Sequence, residues 1–132
     1  MKIIDIPKFK DKSQLLLLDK ETTLHEAAKK MKELNYGAVI VTNQRNLCGI
    51  FTERDLLMKV AAEGREIKNL KLADVMTVNI KTAHVDDSVY DLMRRMSQGR
   101  FRHLPIVDKN GRISGMISQG DFVALTCYDF HY

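Results

Sequence analysis

The chain has 132 residues, of which 45% are hydrophobic and 29% charged, with a formal net charge of +4 and no Trp. That balance belongs to a folded globular protein with an aliphatic core and excludes a disordered chain. The longest apolar run is the four leucines at 15–18, far short of the ~20 residues of a membrane span, and no signal-peptide core follows Met1, so an intracellular, cytoplasmic protein is expected.

In chain order, the first expected element is a strand around residues 15–18. Thr23 then opens an amphipathic helix: Leu24, Ala27, Ala28 and Met31 recur at i, i+3, i+4 and i+7, and Thr23-x-x-Glu26 reads as a capping box. The helix runs out at Asn35-Tyr36-Gly37, where Gly is the residue suited to a left-handed C-terminal turn. A strand (38–41), a polar turn (Asn43-Gln44-Arg45-Asn46) and a second strand (47–51) follow, with a second helix from Thr52. Cys48, beside Gly49, Ile50 and Phe51, is expected to be a buried thiol; with Cys127 it forms no CxxC or metal spacing. Residues 62–74 read as a charged surface linker with a helical end.

The pattern then repeats. Ser88, Val89, Leu92, Met93 and Met96 match Thr23, Leu24, Ala27, Ala28 and Met31 at an offset of 65, and Ser88-x-x-Asp91 matches the cap. An opening strand is expected at 78–81. After Gln98-Gly99 come a strand at 103–107, the turn Asp108-Lys109-Asn110-Gly111, a strand at 113–117 and a helix from Ser118. The fold class is therefore α+β: two β-α-β-β-α repeats packed sheet to sheet, with residues 1–66 and 67–132 as the two domains.

Two turns carry the chemistry. Gly49-Ile50-Phe51-Thr52-Glu53-Arg54-Asp55 and Gly115-Met116-Ile117-Ser118-Gln119-Gly120-Asp121 both read Gly–apolar–apolar–Thr/Ser–x–x–Asp. A helix start has unpaired N–H groups and favours anions. The hydroxyl can donate to a phosphate, and the carboxylate one turn on is acceptor-only, matching the two hydroxyls of a ribose. The same spacing is also a plain capping box, as at Thr23 and Ser88, and both readings stand. Arg102-His103-Leu104-Pro105 begins the middle strand of the second repeat. Pro105 removes a ladder donor, so this strand is expected at an edge or opening on a cleft. Arg102 offers a fork for phosphate. His103 either donates to that phosphate or caps the strand. Arg54 either reaches a phosphate or is a solvated helix-start residue. The first repeat has Ala38 where the second has His103 and Ile40 where it has Pro105, so the second turn is the stronger candidate.

These residues resemble the cystathionine-beta-synthase (CBS) domain, as a tandem pair in which two units associate about a pseudo-two-fold axis with clefts between them. The resemblance implies an adenosine ligand: AMP, ADP or ATP, with NAD or S-adenosylmethionine as alternatives. It assigns ribose binding to Asp55 and Asp121, phosphate binding to Thr52, Ser118, Arg102 and His103, and adenine framing to backbone near Ile80, Thr82 and Pro105. Few residues lie outside the repeats, so a stand-alone module is expected. It would act as a regulatory sensor through an unknown target protein and as a homodimer. An interaction or scaffold protein with empty clefts is the alternative. No cofactor, metal or catalytic residue is expected, since no nucleophile–base pair or metal cluster is present. Basic residues are scattered without an aromatic stripe or recognition helix, which argues against nucleic acid, and no membrane association is expected.

Overall fold

The computed structural model describes residues 2, 10–11, 15–99 and 103–118. Arg102, Asp121, the helix expected from Ser118, Cys127 and the aromatic tail 126–132 lie outside the described residues. In chain order the elements are β1 (Lys10–Asp11), β2 (Leu17–Asp19), α1 (Leu24–Leu34), β3 (Ala38–Asn43), β4 (Asn46–Thr52), α2 (Glu53–Asp55) continued by π-helical turns at Leu56–Ala61, a 3-10 turn at Ile67–Asn69, α3 (Leu72–Val75), β5 (Ala83–His84), α4 (Val89–Gly99), β6 (His103–Val107) and β7 (Ile113–Ser118). They form two units: Leu16–Ile80, and a second that joins Met1–Leu15 to Lys81–Tyr132.

In the first unit the sheet order is β2-β3-β4, with β2 parallel and β4 antiparallel to β3. Thr23 caps α1, its Oγ1 accepting the Glu26 N–H at 3.2 Å. Leu24, Ala27 and Met31 are buried as the spacing requires, while Ala28 is only half-buried. They pack with Val39, Val41 and Phe51 into an aliphatic core. Each of the Leu, Met, Val and Phe side chains contributes on the order of 1.5–3 kcal/mol when fully buried. The left-handed turn after α1 falls on Asn35 (φ 57°), not on Gly37, and the Tyr36 N–H donates back to the Met31 carbonyl at 2.9 Å. Asn tolerates this conformation because its short side chain bonds locally. Gly37 instead allows close approach: its carbonyl accepts the Glu53 N–H at 3.0 Å, and a Cβ there would lie 3.3 Å from Glu53 Oε1. Cys48 is half-buried rather than buried, and that burial raises its thiol pKa.

The end of the expected linker is not a surface segment. Leu72 and Val75 are buried in the same core. The reason lies at the start of α1, whose first N–H groups have no helical acceptor. Leu24 N–H donates to the Leu70 carbonyl at 2.8 Å, and Leu72 and Ala73 N–H donate back to Thr22 and Lys20. Farther on, Ile50 and Thr77 exchange two backbone bonds of 3.1 and 2.9 Å.

In the second unit the sheet order is β1-β7-β6-β5. Val89, Leu92 and Met96 of α4 pack on Ala83, Leu104, Ile106 and Ile117. Met93, the fourth member of the expected stripe, is 38% exposed. The opening strand is β5, not 78–81: Ala83 pairs in parallel with Ile106 as Leu17 pairs with Ile40, and Val78 is 64% exposed. The strand phase follows the buried alanine, since a one-residue slip would turn it outward. β6 is not an edge strand, because β7 and β5 flank it. β5 pairs only Ile106 and Val107, so among the described residues no strand lies beside 103–105 on that side, which is where the missing N–H of Pro105 is tolerated.

The two hairpins turn differently. Gln44 and Arg45 both take positive φ (51° and 71°) between the paired Asn43 and Asn46, as a two-residue type I′ connection demands. In the longer second turn Gly111 takes φ 79°, and Asp108 Oδ1 accepts the N–H groups of Asn110 and Arg112 at 2.8 and 3.0 Å. Those bonds, the Arg112 one first, hold the Asp108 carboxyl below its usual value.

Candidate functional site: two hydroxyl–carboxylate turns

The first turn is a closed capping box. Thr52 ends β4 in extended geometry; its Oγ1 accepts the Asp55 N–H at 3.2 Å, and Asp55 Oδ2 accepts the Thr52 N–H at 3.0 Å. The other carboxylate oxygen, Oδ1, lies 3.4 Å from Lys59 Nζ. That ammonium also donates to the Val75 carbonyl at 3.1 Å and to Thr77 Oγ1 at 3.0 Å. Asp55 is left only 16% exposed at its side chain. Lys59 sits in the π-helical turns, where Ala62 N–H donates five residues back to the Leu57 carbonyl at 2.8 Å. Such turns are frequent at functional sites.

Gly49 opens the same motif for a packing reason. A Cβ there would overlap Met76 Sδ and lie 2.9 Å from Met76 Cγ. Arg54 is exposed on α2. Beside Thr52, a cleft of ≈ 330 Å³ lies between α1 and the turn, lined by Tyr36, Gly37, Glu53 and Leu56 among others. Ile80, at the end of this unit, is half-buried, and its N–H donates to the Val78 carbonyl at 3.0 Å.

In the second unit the strands bring His103 and Ser118 together as direct antiparallel partners, with Pro105 opposite Met116. Side chains at such positions start ~4.5–5.5 Å apart, on one face of the sheet. Both are half-buried, and Pro105 is fully buried. The equivalent pair in the first unit is Ala38 and Thr52, and Ala38 is buried and apolar. Thr82 is half-buried, and its carbonyl accepts from Arg95 Nη2 at 2.7 Å. Thr52, Arg54, Asp55 and Ile80 thus belong to one unit, and Thr82, His103, Pro105 and Ser118 to the other. Arg102 and Asp121 lie outside the described residues.

Lys59, Met76 and Arg95 are site neighbours that sequence reasoning missed. Lys59 had a visible signal, the i+4 spacing from Asp55 on a helical segment. Met76 and Arg95 are brought in by tertiary packing alone. Among the described residues no group of three His, Cys, Asp or Glu side chains could hold a metal, and no helix is long and apolar enough to cross a membrane.

The CBS domain family model matches the chain twice, over residues 11–62 and 72–126. The mitochondrial CBS domain-containing protein CBSX3 of Arabidopsis thaliana is 36% identical over 135 residues, covering 96% of this chain; the chain spans 65% of that protein's length. A solved structure of a protein with CBS domains from Burkholderia ambifaria superposes with a TM-score of 0.88 at 30% identity, covering 100% of this chain and 98% of that one. The CBS domain pair of protein MJ0100, solved with 5′-methylthioadenosine and S-adenosyl-L-methionine, shares the fold, with a TM-score of 0.85 over 98% of each chain at 24% identity. Two matched repeats, each with the hydroxyl residue placed where its strand ends, make this chain a member of the CBS domain family, carrying a tandem pair of these domains.

Proposed function

We propose that the chain is a regulatory module that binds an adenine nucleotide and acts through a partner protein, as a homodimer inside the cell. The observation that carries this is the pairing of His103 with Ser118 beside the buried Pro105. A hydroxyl and an imidazole on one sheet face suit a phosphate, and Asp121, three residues on in sequence, supplies the acceptor for ribose. Arg102, adjacent to His103 in sequence, adds a cation. We read the chemistry as binding, not turnover. The ligands of MJ0100 extend the probes to adenosine compounds without a phosphate.

The test is a thermal shift with AMP, ADP, ATP, NAD, S-adenosylmethionine and 5′-methylthioadenosine. A ligand at 100 times its Kd stabilises by about 2.7 kcal/mol and raises Tm by several degrees. No shift with any of the six leaves the scaffold reading, which the closed Thr52–Asp55 box favours, since that turn is satisfied without a ligand. Gel filtration with light scattering checks the dimer; a monomer at micromolar concentration refutes it.

A further inference from the structure

We propose that Lys59 is a specificity-determining residue, which closes the first hydroxyl–carboxylate turn to ribose and leaves adenosine ligands to the second. It deepens the nucleotide-sensor reading and rests on it. An ionised carboxylate offers about four lone-pair positions. At Asp55 one is taken by the Thr52 N–H and one is directed at the Lys59 ammonium. The Lys59 ammonium is itself fastened at two further points, the Val75 carbonyl and Thr77 Oγ1. Thr77 in turn exchanges both backbone bonds with Ile50, so the anchor is bridged to β4 and is not a loose surface chain. A ribose arriving at Asp55 meets a carboxylate whose charge is already compensated and whose side chain is 16% exposed.

The sequence of the second repeat has no lysine at the matching place. In the order of its motif, the residue four places after Asp121 is Leu125. A leucine side chain has no donor to offer a carboxylate. The two turns, near-identical as motifs, are thereby assigned different work: one braces β4, the π-helical turns and the stretch from the end of α3 to Thr77, and the other receives ligand.

The experiment is calorimetric titration of the full chain with AMP and with 5′-methylthioadenosine, on wild type, K59L, K59Q and K59R. Wild type and K59R are expected to take about one equivalent, while K59L and K59Q gain a second, with affinity at Asp55 raised about tenfold, the scale of one charge-assisted hydrogen bond. Adding D55N to K59L should remove the second equivalent. Thermal melts without ligand check the brace: D55N and K59Q shifts should be non-additive, and additive shifts overturn the assignment. Wild-type binding with unchanged stoichiometry and affinity in both folded Lys59 variants also overturns it. No heat from any variant, wild type included, overturns the nucleotide reading itself and the specificity role with it.

Discussion

Replacing Gly49 by Ala tests whether the motif glycine serves packing. The added Cβ overlaps Met76 Sδ and sits 2.9 Å from Cγ and 3.2 Å from Cβ of the same side chain. The Met76 thioether can rotate away, but its Cβ is fixed by the backbone, so relief is incomplete. Overpacking of this kind costs about 1–3 kcal/mol. The lower unfolded-state entropy of Ala returns ~0.4–1 kcal/mol. The midpoints of these ranges leave a net loss of about 1 kcal/mol, or a Tm fall of roughly 3–5 °C for a chain of this size. Met76→Ala alone should also destabilise, by roughly 1–2 kcal/mol, because Met76 is only half-buried. In the double variant the new methyl occupies the vacated space, so the two losses should fall short of additive by ~1 kcal/mol. Urea unfolding followed by far-UV circular dichroism measures all three. Gly49→Ala within about 0.5 kcal/mol of wild type, or strict additivity with Met76→Ala, refutes the packing account.

Other expectations follow from the turns and the two motifs. Arg45→Gly should stabilise by about 1 kcal/mol, since a left-handed residue with a Cβ costs ~1–2 kcal/mol and glycine avoids that cost; an unchanged or lower denaturation midpoint counts against the positive φ at Arg45. Asp108 has its pKa lowered in the folded state, so its stabilisation is present above the ordinary value of 3.8 and is lost as pH falls through the lower folded value. Asp108→Asn should therefore flatten the acid limb of Tm against pH, and an identical limb in both proteins refutes the link. Asp121→Ala should weaken nucleotide binding by at least tenfold, the scale of a lost bond to a charged group, while Asp55→Ala lowers Tm and leaves affinity within about twofold; equal affinity losses by calorimetry refute the asymmetry.

Much of this was legible in the sequence because it depends on neighbours in the chain. The caps at Thr23 and Ser88, the faces of α1 and α4, and the Thr52–Asp55 box are all set by spacings of three or four residues. What escaped depends on distant partners. Leu72 looks like a linker residue until Leu70 supplies the acceptor for the first N–H of α1. The second opening strand was misplaced because Val78 is apolar and β-branched, yet the parallel register is set by Ala83 against Ile106. Asn35 took the left-handed turn ahead of Gly37, a contest between two competent residues that propensity does not decide. Gly49 stood in the motif without a packing role because nothing local announces Met76.

The placement of β1 bears on how the chain is born. Lys10 and Asp11 pair with Met116 and Gly115, which come after the whole Leu16–Ile80 unit in sequence. That unit is closed on itself by the Ile50–Thr77 bonds and can mature as soon as residue 80 has emerged. The flanking unit cannot, since its first strand must wait about a hundred residues for its partner. At ~5–20 residues per second of synthesis, the wait is of order 5–20 seconds. During that time the N-terminal strand has no native partner, and afterwards the closure of so long a loop makes its docking one of the slower steps. Refolding should accordingly run in two phases, with the Leu16–Ile80 unit first and the unit discontinuous in sequence second.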